Sequence, residues 1–438
     1  MTSRRLLVLL ALPFLAASAP AAVTNWPAWR GEGMTGLADG ANLPVVFGET
    51  QNVRWRIDTP GRGESTPVIW GDRLILLTAQ PAAAAADEGT PPANAMAANF
   101  GIRTPTVPYA FDVVCLDRHS GKTVWRTTVR KETPHEGTHP DHGFASGSPV
   151  TDGRHIWAFF GSRGLHCLTM DGALKWSRDL GRMTMRVTFG EATSPALAGR
   201  AVVALLDQEQ GSAIAAVDRD SGEVLWRKPR DESSSWTTPL VVGHGGRLQA
   251  IVSGSNRTRS YDPETGAVLW ECGGQTVNVI PTAVPGPGVV YCSSGFKGNA
   301  VQAIALGRTG DLTGTDAVRW EIKRNAPYVP SPVLSGKRLY FFAGTQPKLS
   351  CADAETGKVL FDAQRIEGMK TVYASPIVSD GRLYLAGRDG TVAVVKDADT
   401  FELLALNRFD DGFDASPAVA GSDLYLRGKK HVYCIRAP

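Results

Sequence analysis

The stretch YDPETGAVLW occupies residues 261–270. The same phrase returns as DRHSGKTVW (117–125), DRDSGEVLW (218–226) and DAETGKVLF (353–361), with a shorter copy, TMDGALKW, at 169–176. Its chemistry is that of a turn entering a strand. Asp and Ser or Thr close a turn by accepting nearby backbone N–H groups, and Gly supplies the positive φ the chain then needs. The aromatic residue four places after the Gly falls on the following strand, where it can pack against a neighbouring unit. Six of the eleven tryptophans take that place: Trp55, Trp125, Trp176, Trp226, Trp270 and Trp320. Phe361 and Leu404 take it in two further copies. The phrase therefore reads as architecture, a turn plus a wedge, and not as a binding site.

A second phrase sets the period. Ser or Thr followed by Pro precedes an apolar run at Pro67, Pro149, Pro195, Pro239, Pro332, Pro376 and Pro417, and Pro281, after Ile280, is taken as the eighth anchor. Six of the seven spacings lie between 41 and 51 residues, and the first is 82 because it holds an insertion. Within one copy, PIVSDGRLYLAG (376–387) is an apolar run, an Asp-Gly turn and an alternating run, which is a hairpin signal. GTVAVVKD adds a third strand and DADTFELLAL a turn into a fourth. Four short strands repeating about every 45 residues describe a propeller blade. The spacing predicts an all-β, eight-bladed β-propeller of four-stranded antiparallel blades over residues 53–436. Trp55 precedes the first anchor, and the last copy, 413–435, ends after its third strand. VRWRI (53–57) is thus expected to complete the last blade and close the ring, which removes open sheet edges.

The D-x-x-[ST]-G-x-x-x-W phrase resembles the repeats of the pyrroloquinoline-quinone (PQQ) family. That resemblance, over roughly residues 50–436, implies an eight-bladed propeller of the kind found in quinoprotein dehydrogenases and in the BamB outer-membrane assembly lipoprotein. It is specific for fold and says little about function, because the turn recurs in members that bind no quinone. The opening NWPAWRGEGMTG (25–36) is similar to that of a group of secreted bacterial PQQ-repeat propellers.

The ends and the charge narrow the setting. Residues 1–22 read as a cleavable secretory signal: Arg4 and Arg5, an apolar stretch from Leu6 to Ala17, then Ala19-Pro20-Ala21. No lipid-anchor cysteine stands in it, so the expected location is periplasmic or extracellular. No later stretch is apolar enough for a membrane helix. The formal net charge of +3, about +1 without Arg4 and Arg5, gives no reason to expect nucleic acid. A monomer is expected. Of six cysteines, Cys115, Cys167, Cys351 and Cys434 sit at one place in different copies. They read as small core residues too far apart to bridge. Cys272 and Cys292 lie on successive copies, and their pairing is left open.

Propeller topology sorts the loops. The D-G and D-x-x-T-G turns fall on one face, the bottom. The strand 2–3 turns and the blade-to-blade loops fall on the other, the top. Varied loops on a rigid scaffold are where binding usually sits. Six top turns carry a cation: Arg163, Arg257, Lys297, Lys348, Arg388 and Lys429. With Glu191 and Asp414 they form the candidate ligand site, a broken ring suited to an anionic ligand or an acidic partner segment. Asp231, Glu232, Asn278, Tyr328 and Tyr373 are further residues expected at the channel mouth. The loop PHEGTHPDHGFASGSP (134–149) holds His135, Glu136, His139, Asp141 and His142. His135 to His139 matches H-E-x-x-H, but Gly137, Thr138 and Pro140 oppose the helix a zinc protease requires. Those five residues remain a candidate set for a loop-held metal. Residues 80–111 are an Ala/Pro-rich insertion in blade 1, a cover or a partner-binding arm.

No nucleophile elbow, P-loop, dinucleotide fingerprint or haem motif is present. The function expected is an exported, non-catalytic propeller binding a protein partner or anionic ligand on its top face, with a BamB-like assembly role and no catalytic residues assigned. The alternatives are a PQQ- and calcium-dependent dehydrogenase and a metal-binding enzyme of another kind. The PQQ reading is disfavoured, because the vicinal cysteine pair usual in such dehydrogenases is missing.

Overall fold

A computed structural model describes residues 23–82 and 88–437; the signal expected over 1–22 lies outside them. The described chain folds into eight antiparallel sheets arranged as successive blades. Blade 1 runs Val68–Trp70, Arg73–Pro81, Tyr109–Asp117 and Thr123–Glu132. The innermost strands are short, three residues in most blades, and the outer strands carry the alternating burial of a sheet wetted on one edge. Blade 8 takes Ala418–Ala420, Asp423–Arg427 and His431–Ile435 from the C-terminal end and Val53–Asp58 from the N-terminal end. The register runs from Val53↔Ile435 to Asp58↔His431. The ring is closed as the repeat count requires.

The recurring phrase turns out to be a lock between blades. Asp117 Oδ1 accepts from His119 N (3.2 Å), Ser120 N (2.8 Å) and Ser120 Oγ (2.7 Å). Asp353 does the same for Glu355 and Thr356. The glycine then meets the tryptophan of the preceding blade. A Cβ on Gly121 would lie 2.8 Å from Trp55, on Gly222 2.6 Å from Trp176, and on Gly266 2.7 Å from Trp226. These glycines also have φ near +70°, so position and conformation both require Gly. The indole N–H completes the lock: Trp55 donates to Arg118 O (2.9 Å) and Trp226 to Pro263 O (2.8 Å) in the next blade. Each of these phrases thus holds the aromatic of the blade before it.

Blade 5 lacks the compact phrase and carries GRTGDLTGTD (307–316) instead. Two departures from the expected pattern follow. Trp270 finds no turn to dock on and donates to Gln249 Oε1 of its own blade (2.9 Å). The longer segment climbs the outside of blade 4, where Gly310–Asp311 adds a fifth, parallel strand beside Val268–Cys272. Burial of Leu312 and its N–H bond to Glu271 O (2.8 Å) hold it there.

The Ser/Thr-Pro phrase builds a second ring at the channel. Thr66 N donates to Ser148 Oγ, and the pattern continues through Ser194, Thr238, Thr282, Ser331, Ser375 and Ser416, at 2.9–3.2 Å. In seven of the eight blades a hydroxyl therefore satisfies the buried N–H of its neighbour. Thr282 is the member from blade 5, so Ala283 stands where the other blades have proline. Pro281 is two residues out of register with the other anchors, a shift hidden by the coincidence of a nearby Pro.

Residues 23–47 are part of the fold. They cross the bottom of the channel and pair with the inner strands they pass. Gly421 N donates to Val23 O (2.6 Å) in blade 8, Trp26 exchanges two 2.8 Å bonds with Ile69 in blade 1, and Thr151 N donates to Pro27 O (2.9 Å) in blade 2. A short 3-10 turn, Glu32–Met34, touches the inner strands of blades 4 and 5. Gly36 and Ala38 bond Val378 in blade 7, and Asp380 accepts from Gly40 and Asn42 N–H. Trp26 is fully buried. The segment closes the bottom of the ring.

All six cysteines are buried and free. The four equivalent ones are core residues as expected, and Cys272 and Cys292 are not joined. The insertion is narrower than 80–111, because the flanking strands extend to Pro81 and back to Tyr109. Residues 83–87 of it lie outside the described chain. The rest includes a helical turn, Ala95–Asn99, whose first N–H groups bond Asn94 Oδ1.

Candidate binding bowl at the top mouth

With the bottom closed, the channel is a bowl open at the top, enclosing about 450 Å³. Trp29, from the N-terminal segment, and the hydroxyl ring line its lower part. A second ring lies above. In an extended chain, residues two apart point the same way. The residues two before each ring hydroxyl are Glu64, Ser146, Ala192, Trp236, Ile280, Val329, Tyr373 and Asp414, and all eight line the bowl. The lower ring is uniform because it serves the ring closure. The upper ring differs in every blade.

The walls are largely aromatic. Phe296 stacks on Tyr328 at 5.0 Å. Phe189 meets Phe100, from the insertion, edge-on at 5.1 Å, and His139 at 5.3 Å. Trp236 has its N–H committed to Gly190 O (2.7 Å) and so presents apolar surface. The polar groups are tied to one another. Arg388 lies over the Tyr373 ring at 4.1 Å and bonds Asp141 (2.9 Å) and Asp414 (2.5 Å). Lys429 reaches Asp414 at 3.2 Å. The hydrogen bond from Arg388 holds the Asp141 carboxyl below its ordinary range. Glu64 accepts from Ser146 Oγ (2.5 Å) and Gly143 N (2.8 Å). Burial lowers His139 and His142, favouring neutral imidazoles.

The residues singled out in the sequence separate here. Arg388, Asp414, Lys429, His139, Asp141 and His142 gather at the mouth. Arg163, expected on an exposed turn, is buried (5 % exposed). The 3-10 turn Gly161–Arg163 folds inward, setting the guanidinium between Phe111 and Phe144 and against Glu191 (3.2 Å) and Glu132 (3.6 Å). Glu191 is spent on this contact and on Ser162. Arg257 lies out along the edge of blade 4, bonded to Asp311 (2.9 Å). Lys297 is exposed beside Phe296, and Lys348 opens the third strand of blade 6. Four of the six cations are thus neutralised by carboxylates, so a ring of available positive charge is not formed. Of the other residues expected at the mouth, Asn278, Tyr328 and Tyr373 line the bowl, while Asp231 and Glu232 bind Arg259.

The loop 134–149 contains no helix, in keeping with the argument against a zinc-protease motif. Its candidate metal set does not converge either. His135 bonds Met183 O (2.8 Å) and Arg163 (3.3 Å), and Glu136 accepts from Met185 N (3.1 Å). His139 and His142 turn to the bowl. Among the described residues, no three His, Cys, Asp or Glu form a group that could hold a metal. Burial raises Glu136 to about 7.

Sequence reasoning missed Glu64, Trp236, Phe189, Phe296 and Trp29. The first two were within reach, since the place two before each ring hydroxyl is readable once the blades are aligned.

The fold and bowl define a closed-bottom, eight-bladed repeat propeller. A family model described as outer membrane protein assembly factor BamB matches residues 110–276 and 210–437. These spans cover most of the chain, and the protein belongs to this family. Among solved structures, BamB from Moraxella catarrhalis is 13 % identical with a TM-score of 0.56, covering 87 % of this chain and 96 % of that one. The computationally designed protein Ika8 is 12 % identical with a TM-score of 0.55, covering 87 % and 98 %. A europium-containing methanol dehydrogenase is 12 % identical with a TM-score of 0.47, covering 92 % and 89 %. At these identities the likeness to the first two is one of fold alone. No curated protein matches the sequence.

PQQ and its calcium ion do not fit this donor set. The quinone is a planar tricarboxylate. Among the described residues the bowl lining holds three carboxylates, Glu64, Asp141 and Asp414, and no lysine or arginine. Arg388 stands behind the carboxylates and is saturated by two of them, and no three metal-ligating groups meet there.

Proposed function

We propose that this protein is an exported binding propeller of the envelope that performs no chemistry of its own and receives its ligand, or a segment of a protein partner, in the top bowl. The observation carrying this reading is the bottom closure by residues 23–47, which leaves the variable upper ring as the accessible part of the channel. The mouth's charged groups are engaged in mutual contacts, Arg388 with Asp141 and Asp414, and Glu64 with Ser146. That pattern suits a rigid receptor more than a proton-transfer site. Membership of an outer-membrane assembly family supports an envelope setting, and among the described residues no helix is long and apolar enough to cross a membrane. The lining favours a neutral occupant over the anionic one expected from the six cations.

The test is a photo-cross-linking residue placed at Tyr373, on the upper ring, and in a second variant at Glu264, on a bottom turn, each in the native envelope. Adducts confined to the Tyr373 variant are expected. Adducts confined to Glu264 would move the working face to the bottom.

A further inference from the structure

We propose that the bowl binds an uncharged polyhydroxylated ring, a mono- or disaccharide. The inference deepens the binding reading above and rests on it.

The bowl presents hydrogen-bond groups of both kinds without partners. Each hydroxyl of the lower ring from Ser148 round to Ser416 accepts one backbone N–H, and none donates its own proton to another group among the described residues. These residues line the bowl, and their hydroxyl protons are free to turn to a ligand. Asn278 is 3 % exposed, lines the bowl, and its Oδ1 has no partner. His142 Nε2 is also buried and unpartnered. Ser146 gives its proton to Glu64, so its oxygen faces His142 Nδ1 (3.5 Å) as an acceptor. That arrangement places the imidazole proton on Nδ1 and leaves Nε2 as a second acceptor. A buried polar atom without a partner is costly. A ligand that relieves all of these must both donate and accept. The hydroxyl is the simple group that does both.

Charge and shape narrow the class. An anion would face Glu64, Asp141 and Asp414 with no lining cation. A strong cation would find Asp141 and Asp414 already paired to Arg388 and Lys429. The rings of Tyr373, Phe296 and Trp236 are part of the lining, and aromatic rings suit the apolar, slightly positive C–H groups of a sugar. A cavity of about 450 Å³ is of small-ligand size. Planar aromatic ligands would fill the walls and leave the hydroxyl ring unmet.

The measurement is tryptophan fluorescence, which Trp29 and Trp236 report from the bowl, titrated with neutral mono- and disaccharides such as glucose, N-acetylglucosamine and cellobiose, and with glucuronate and glucosamine as charged matches. A glycan array widens the panel. Saturable binding of a neutral saccharide is expected, weakened about tenfold by Asn278→Gly, the loss of roughly one hydrogen bond. Glycine keeps the positive φ of Asn278 (56°), so this variant should fold. Preference for the charged sugars, or no saccharide bound across the array, overturns the inference. In that event, cross-links from Tyr373 to a protein would leave the binding reading standing, and their absence would remove both.

Discussion

The bottom and the top of this ring are built on opposite principles. At the bottom one solution is repeated: an Asp-capped turn, a glycine with no room for a Cβ, and an indole from the preceding blade. At the top each blade differs, and contacts such as Arg388–Asp414 or Glu64–Ser146 occur once. Repetition identifies what the fold requires, whereas variation on the same scaffold marks where selection can act without unmaking the ring. The two rings of the bowl make the contrast within a few ångströms, the lower all hydroxyl and the upper unlike in every blade.

Removing the N-terminal segment tests the bottom most severely. Deletion of residues 23–58 takes away the floor of the bowl and the outer strand of blade 8 together. Aggregation by light scattering is expected, since both an edge and a channel lined by apolar groups are laid open. A soluble, cooperative product would show that closure is dispensable. A single bottom lock is next. Trp226→Ala should lower stability by about 3–5 kcal/mol in denaturant titration, because both the contact with Gly266 and the bond to Pro263 are lost. A shift under 1 kcal/mol would deny the lock its role.

Top-face substitutions sharpen the contrast by dividing in two. Arg163→Met is expected to cost about 3 kcal/mol by leaving Glu191 and Glu132 without their buried partner, whereas a truly exposed top cation would cost under about 0.5 kcal/mol. Circular dichroism melts of Arg163→Met beside Lys297→Met read the difference. The smallest effect is a pH dependence. Glu136 is raised from 4.5 to about 7 by burial, so between those values the folded protein holds a proton that the unfolded chain has released. Its contribution therefore falls as pH rises from about 4.5 through 7. Glu136→Gln should flatten that part of the curve of melting temperature against pH, and an unchanged slope would mean the carboxyl is solvated.

The fold was legible because it is periodic. Eight copies of a turn signal and an alternating strand pattern leave few architectures, and Trp55 ahead of the first anchor was enough to place the closing strand. The misreadings fall where the period fails. Pro281 stood in for the anchor position, Ala283, because blade 5 has no proline in register, and the fifth strand on blade 4 grew from the one turn that lacks the phrase. The site was less legible. Formal charge on a turn says nothing of which way the side chain folds, so Arg163 and Arg388 looked alike although one is buried under Phe144 and the other sits at the mouth. Trp26, Trp29, Met34, Leu43 and Phe47 are too apolar for a free arm, but nothing periodic said what they covered.

Blade 8 has a consequence for how the molecule is made. Its outer strand, Val53–Asp58, leaves the ribosome well before its partner, His431–Ile435. Until then the strand has no hydrogen-bonding neighbour in the sheet it belongs to, and the floor segment before it lacks blades 7 and 8 to rest on. Contacts of such long sequence separation form late. Completion of the ring therefore waits until synthesis has passed residue 435. A chain that stops short of His431–Ile435 keeps an unpaired strand at each side of the gap, a mark by which quality control can tell it from the closed ring.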